Sequence, residues 1–103
     1  MYRPLPSFLE VRSSPIEGHG IFTTKYLYEG GRLGVSHIYD TEFIDNLIRT
    51  PLGGFINHSD NPNCELQRNG RLLVVEIIKD IKEGEEITLS YGRTKTLFEA
   101  PVA

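Results

Sequence analysis

Asn57 and His58 stand side by side in a stretch, residues 51–63, that is dominated by Pro, Gly, Asn, Asp and Ser. An amide next to an imidazole in such a loop can do two things. The side chains can make turns through local hydrogen bonds, or they can offer donors and acceptors to a bound ligand. Tyr91 closes the run Glu86–Ser90. A tyrosine at a strand end packs at a core or its rim, or it presents a hydroxyl to a reacting group. Gly18-His19-Gly20 permits a tight turn and also lets the backbone approach a ligand with no Cβ in the way. His19 reads as a partly exposed residue at the edge of such a site, not as an acid–base group. The Gly-x-Gly lacks the third glycine and the long helix of a dinucleotide fingerprint. Cys64 is the single cysteine. An internal disulfide is therefore impossible and a cysteine-rich zinc site is excluded; Cys64 is expected to be a small buried strand residue.

The elements that must position these residues are short. Phe8–Arg12 alternates apolar and polar residues as a half-buried strand does. The turn Ser13-Ser14-Pro15 leads through Gly18–Gly20 into a second strand, Ile21–Thr24. Gly30-Gly31 marks a turn before a strand at Leu33–Tyr39. Thr41–Arg49 is the one fair helix, with Thr41 as cap, Phe43, Ile44, Leu47 and Ile48 on one face, and Pro51 as its stop. Residues 51–63 are expected to form an ordered loop without regular structure. Cys64–Arg68 and Arg71–Ile78 flank Asn69-Gly70, a pair that favours a type I′ hairpin turn. Lys82-Glu83-Gly84-Glu85 turns the chain into a last strand, Glu86–Ser90. Closely spaced strands with one helix give a mostly β architecture of small sheets.

Composition limits the function. With 103 residues, 39% of them hydrophobic, the chain has room for one compact domain with a small core. A net charge of −3 and a pI of about 5.6 argue against binding nucleic acid by neutralising phosphates. The same charge suits a surface that receives a basic peptide. No stretch is long enough to span a membrane, and residues 1–20 have no continuous apolar segment of the signal-peptide kind. An intracellular, soluble domain is the expectation.

Three segments in fixed order carry the reading further: Glu17-Gly18-His19-Gly20-Ile21-Phe22, then Gly54-Phe55-Ile56-Asn57-His58-Ser59-Asp60-Asn61-Pro62-Asn63-Cys64, then Gly84-Glu85-Glu86-Ile87-Thr88-Leu89-Ser90-Tyr91-Gly92. They closely resemble the motifs of SET-domain protein lysine methyltransferases, over roughly residues 8–92. A chain this short is similar to the minimal members found in viruses and microbes. The first motif alone is weak; the second is long and chemically unusual.

The resemblance implies a β-clip-like SET fold, one domain over residues 1–103 with a core at about 8–92. A C-terminal segment would pass under a loop in a knot-like way, an arrangement that is rare in general, and a tail at 93–103 would follow the core. It implies S-adenosylmethionine (AdoMet) as cofactor, held by Gly18, His19, Gly20, Asn57 and His58. Asn57 would bind the methionine portion, the His58 backbone would read the adenine edge, and the His58 ring would hold the loop. Asn61, Pro62 and Asn63 would be scaffolding. Tyr91 would carry the chemistry, an in-line displacement at the methyl carbon with no metal and no covalent enzyme intermediate. The substrate lysine must first lose a proton. With an ordinary pKa near ~10.4, that costs about 4–5 kcal/mol at neutral pH, and burial beside a positive sulfonium lowers the cost. The Tyr91 hydroxyl would then orient the neutral amine, helped by backbone carbonyls near Gly54–Ile56. Phe55, Ile56, Leu89 and Phe98 would line the lysine channel, Phe98 closing it from the tail.

Departures from larger relatives matter. Many place a cysteine after Asn-His-Ser as part of a zinc site; here that residue is Asp60, so no such site is expected. Leu89 replaces the Phe or Tyr that limits methyl number in several relatives. The expected partner is a basic protein or peptide, a histone tail by default, with Glu83, Glu85 and Glu86 attracting it. No nucleic acid or membrane is expected, and a second copy, as a homodimer, could wall the channel. Two other readings compete with the enzyme: a SET-like module that binds AdoMet or peptide without turnover, and a small structural domain. AdoMet calorimetry and transfer assays separate them.

Overall fold

A computed structural model describes residues 5–42 and 47–90. In chain order its elements are β1 (Leu9–Ser13), β2 (His19–Thr23), β3 (Arg32–Tyr39), β4 (Leu47–Arg49), α1 (Pro51–Phe55), β5 (Asn57–His58), β6 (Cys64–Asn69), β7 (Leu72–Ile77) and β8 (Glu86–Leu89). They form two four-stranded sheets, β1-β2-β8-β5 and β4-β3-β7-β6. The expected mostly β architecture of small sheets is what the chain adopts. Tyr91, Phe98 and the rest of 91–103 lie outside the described residues. Among the described residues no helix is long and apolar enough to cross a membrane.

The first sheet starts as a hairpin, with Leu9 opposite Thr23 and Ser13 opposite His19. β8 then adds antiparallel to β2 and parallel to β5, with Asn57 opposite Thr88 and His58 opposite Leu89. In the second sheet, β6 and β7 form the hairpin expected from the sequence, shifted by one residue. Asn69 pairs with Leu72, so the connecting residues are Gly70 and Arg71, with Gly70 at φ +62°. Moving the two-residue turn along by one changes each partner by two residues, so both strands keep the same buried face. This register sets Cys64 opposite Ile77 and Leu66 opposite Val75, and Cys64, Val75 and Ile77 are buried.

The core draws on both sheets: Ile21, Ile87 and Leu89 from the first, and Cys64, Val75 and Ile77 from the second, together with Leu52 and Ile56. Cys64 is the buried strand residue that was expected, and burial pushes its thiol up to about 12, which keeps it in the unreactive protonated form.

Of the helix expected over Thr41–Arg49, the residues described are not helical, and a short helix follows at α1. Thr41 and Glu42 form a turn, residues 43–46 are outside the described residues, and Leu47–Arg49 is a strand paired with Tyr39, Ile38 and His37 of β3. Pro51 begins α1 instead of ending a helix. Its missing N–H and fixed φ suit the first helical turn. Thr50 caps that turn: its hydroxyl accepts from the Gly53 N–H at 3.3 Å and donates to the Val35 carbonyl at 2.7 Å. The stretch 51–63 therefore holds a helix and a short strand where an irregular loop was expected.

α1 sits against the irregular middle of β3, where the pairing with β7 shifts register between Val35 and His37. Ser36 and His37 are buried there. The Ser36 hydroxyl donates to the Leu73 carbonyl, so His37 Nδ1, 2.9 Å from Ser36 Oγ, carries the hydrogen of that contact. Burial, and secondarily the Arg49 charge, hold the His37 imidazole below its ordinary 6.5. The unfolded chain takes up this proton near pH 6.5 and the folded chain resists it. His37 therefore leaves stability intact above pH 6.5 and reduces it as pH falls through 6.5 toward the folded-state value. Thermal unfolding across that window should show the loss in the native sequence and a flatter profile in His37→Gln. Equal profiles would remove His37 as the cause.

Candidate active site at the junction of β2, β5 and β8

Asn57 lies where three chain segments meet. β5 carries it, β8 flanks it, and the turn into β2 faces it. Its Nδ2 is within reach of the Glu17 carbonyl at 3.2 Å, the His19 carbonyl at 3.1 Å and Glu86 Oε2 at 2.8 Å. All three are acceptors. An amide flipped to place Oδ1 there would set oxygen against oxygen three times over, so the network decides the orientation. The nitrogen points into the protein, and Oδ1 is the atom left to meet a ligand.

Glu86 completes the cluster. Its Oε1 accepts from Ser14 Oγ at 2.7 Å, and Ser14 Oγ in turn accepts from the Ile16 N–H at 3.0 Å. Glycine at position 20 is what lets the pair fit. A Cβ there would overlap Glu86 Oε2, lie 2.8 Å from its Cδ and 3.0 Å from Asn57 Nδ2. The room at Gly20 is thus taken by the protein's own side chains. Gly18 has a different reason to be glycine: it turns at φ +42° with open space around its Cβ position, a conformation that side-chain-bearing residues rarely adopt.

The loop after β5 is tied down at both ends. The His58 ring, Nε2–H, donates to Asp60 Oδ1 at 3.0 Å, so Asp60 supports the ring locally. The Ser59 N–H donates to the Leu89 carbonyl at 2.9 Å. Asn63 grips β8 as a strand would: Nδ2 donates to the Glu86 carbonyl at 2.8 Å, and Oδ1 accepts from the Thr88 N–H at 2.9 Å.

The other expected site residues divide. His19 is exposed beside Gly18. Phe55, at the end of α1, is 43% exposed, whereas Ile56 and Leu89 are core residues at 2% and 0%. Tyr91 and Phe98 lie outside the described residues, although the strand that leads to Tyr91 is paired with His58 through Leu89. Glu83 and Glu85 face solvent. Glu86 does not join them as a surface charge; it turns inward to Asn57 and Ser14. The sequence reading missed that role and Ser14 altogether. Its only trace was a doubled glutamate at the start of a strand, which also reads as surface charge. Among the described residues no group of three or more His, Cys, Asp and Glu is placed to hold a metal ion.

Known proteins with these features are consistent with one another. Solved structures with the same fold include a Plasmodium falciparum protein (TM-score 0.70, 20% identity, 87% of this chain and 97% of that one). The methyltransferase domain of human PR domain-containing protein 2 is another (TM-score 0.68, 17% identity, 82% of this chain and 77% of that one). At the sequence level the chain is 42% identical over 68 residues to an H3 lysine-36 specific histone-lysine N-methyltransferase of Cryptococcus neoformans, covering 57% of this chain and 8% of that protein. It is 42% identical over 41 residues to human histone-lysine N-methyltransferase SMYD3, covering 40% of this chain and 10% of that protein. The chain thus spans about a tenth of the length of these relatives. The SET domain model matches residues 19–92, from the glycine turn through Asn57 to the end of the last motif, and with the two-sheet architecture that match makes the chain a member of the SET-domain family.

Proposed function

We propose that this chain is an AdoMet-dependent protein-lysine N-methyltransferase. The observation that carries the reading is the Asn57 amide, fixed with its nitrogen inward so that an oxygen acceptor faces outward beside an open glycine turn. An acceptor of this kind fits the ammonium of the methionine portion of AdoMet. The unobstructed backbone at Gly18 leaves space for a ligand to lie against the turn. When bound, AdoMet supplies an electrophilic methyl group on a sulfonium. Everything else falls to the protein. Asn57 and the Gly18–Gly20 backbone bind and orient the cofactor, His58 frames the loop, and the Tyr91 hydroxyl orients the neutral lysine amine. Phe55, Ile56, Leu89 and Phe98 define the channel and keep water from it.

The substrate we infer is a basic protein segment of the histone-tail class. Two features support this: the similar Cryptococcus and human proteins are named as histone-lysine methyltransferases, and Glu83 and Glu85 are exposed carboxylates that suit a basic partner. A second copy of the chain could supply a further wall of the channel. The test is transfer of labelled methyl from AdoMet to an array of basic peptides, with the modified lysine located by mass spectrometry. Absence of transfer with intact AdoMet binding would favour a binding module without turnover.

Binding itself has a simpler check. Asn57→Ala removes an oriented acceptor from the pocket, and AdoMet affinity should fall by roughly 1–3 kcal/mol in calorimetric titration. The native protein should bind one equivalent, unaffected by chelator. Wild-type affinity in Asn57→Ala would take this residue out of the site.

A further inference from the structure

Three atoms compete for the Asn57 nitrogen, but they are not equivalent. The Glu17 and His19 carbonyls are backbone groups of an exposed turn, at 3.2 and 3.1 Å. The Glu86 carboxylate is closer, at 2.8 Å, half-buried, and as a carboxylate a stronger acceptor than a peptide carbonyl. It is itself held from its other oxygen by Ser14. The main chain of Glu86 is also gripped, by Asn63 at its carbonyl. The chain Ser14–Glu86–Asn57 therefore links the turn before β2 to β8 and β5, and the carboxylate occupies the room left by Gly20.

We propose that Glu86, held by Ser14, is a positioning residue that fixes the rotamer and the flip of the Asn57 amide, so that Oδ1 is already presented before any ligand arrives. This rests on the reading of Asn57 as a cofactor contact, but the positioning itself exists in the free protein. Without the carboxylate, the amide keeps only the two longer carbonyl contacts and can rotate about its terminal torsion. A ligand must then order it on binding, at a cost in affinity. Glutamine at 86 keeps an oxygen toward Asn57 and turns its nitrogen toward the Ser14 hydroxyl, which can accept; it should preserve the geometry without the charge.

The experiment reads the free protein and the complex separately. Exchange of the Asn57 Nδ2 protons with solvent, followed by NMR without ligand, should be slow in the native chain. It should be at least about tenfold faster in Glu86→Ala and close to native in Glu86→Gln, with backbone amides of Ile21 and Ile87 protected throughout. AdoMet affinity measured on the same samples should fall roughly tenfold or more in Glu86→Ala and recover in Glu86→Gln. Native exchange or native affinity in a folded Glu86→Ala would overturn the proposal. So would loss of protection at Ile21 and Ile87 together with Asn57, because Glu86 would then be holding the sheet. If the native protein binds no AdoMet, the functional reading falls, while the exchange measurement still decides whether Glu86 positions the amide.

Discussion

Tyr91→Phe is expected to lower methyl transfer by about 10²–10³ while AdoMet affinity stays close to native. The ring is kept and only one oxygen is lost, so stability should change little. What disappears is the hydroxyl proposed to orient the attacking amine, and one oriented polar group at a reacting centre is typically worth about that factor. Single-turnover transfer at saturating AdoMet and peptide, beside a binding titration, gives the answer. Native turnover in the variant would remove Tyr91 from the mechanism. A parallel loss of binding and rate would place it in the cofactor pocket instead.

The second large effect is expected far from the chemistry. Gly53→Ala puts a methyl group into α1, where helix propensity alone would favour alanine by up to about 1 kcal/mol. Packing reverses the sign. A Cβ at Gly53 would overlap the Ser36 carbonyl oxygen and lie 3.1 Å from His37 Cε1. Both atoms belong to the buried part of β3, and neither is the end of a flexible chain. Overpacking of this kind costs about 1–3 kcal/mol or more, which for a domain of this size lowers Tm by roughly 5–20 °C. Gly54→Ala is the internal control. Its Cβ would meet only the Arg49 side chain, at 3.4 Å and beyond, so the variant should be neutral or slightly stabilised. Equal melting temperatures for the two variants would contradict the tight seat of α1 on β3.

How much of this was legible depends on the range of the interaction that decides each element. The hairpin of β6 and β7 announces itself because its turn and its apolar residues are local. Only its turn moved, by one residue to Gly70-Arg71, which leaves Cys64 and Val75 on the buried face. Pro51 read as a stop because Thr50-Pro51 can mark a helix end or a beginning, and the apolar spacing that suggested a helix reaching Arg49 includes Leu47–Arg49, which pair with β3. β5 is two residues long and exists by pairing with β8, whose Thr88 and Leu89 lie 31 residues after Asn57 and His58; no short window of sequence contains that information. At the site, the motif resemblance pointed to Asn57 and Gly18–Gly20. The inward turn of Glu86 was invisible, because a glutamate beside another glutamate looks like solvated charge until Ser14 and Asn57 are seen to face it.

The position of β8 also says something about the order in which the protein can be made. Among the described strands it is the last in sequence, yet it lies between β2 and β5 within its sheet. During synthesis the β1–β2 hairpin and the β3–β7–β6 ladder can form as their residues emerge, because their partners are already present or close behind. The first sheet cannot close until Glu86–Leu89 leave the ribosome and thread between strands made long before. Closing such long loops late is slow. Until it happens, an edge of β2 stays unpaired, and Ile21 lacks the Ile87 that lies opposite it, a state prone to association with other chains. The Asn57 cluster is therefore among the last of the described parts of this fold to form on the ribosome.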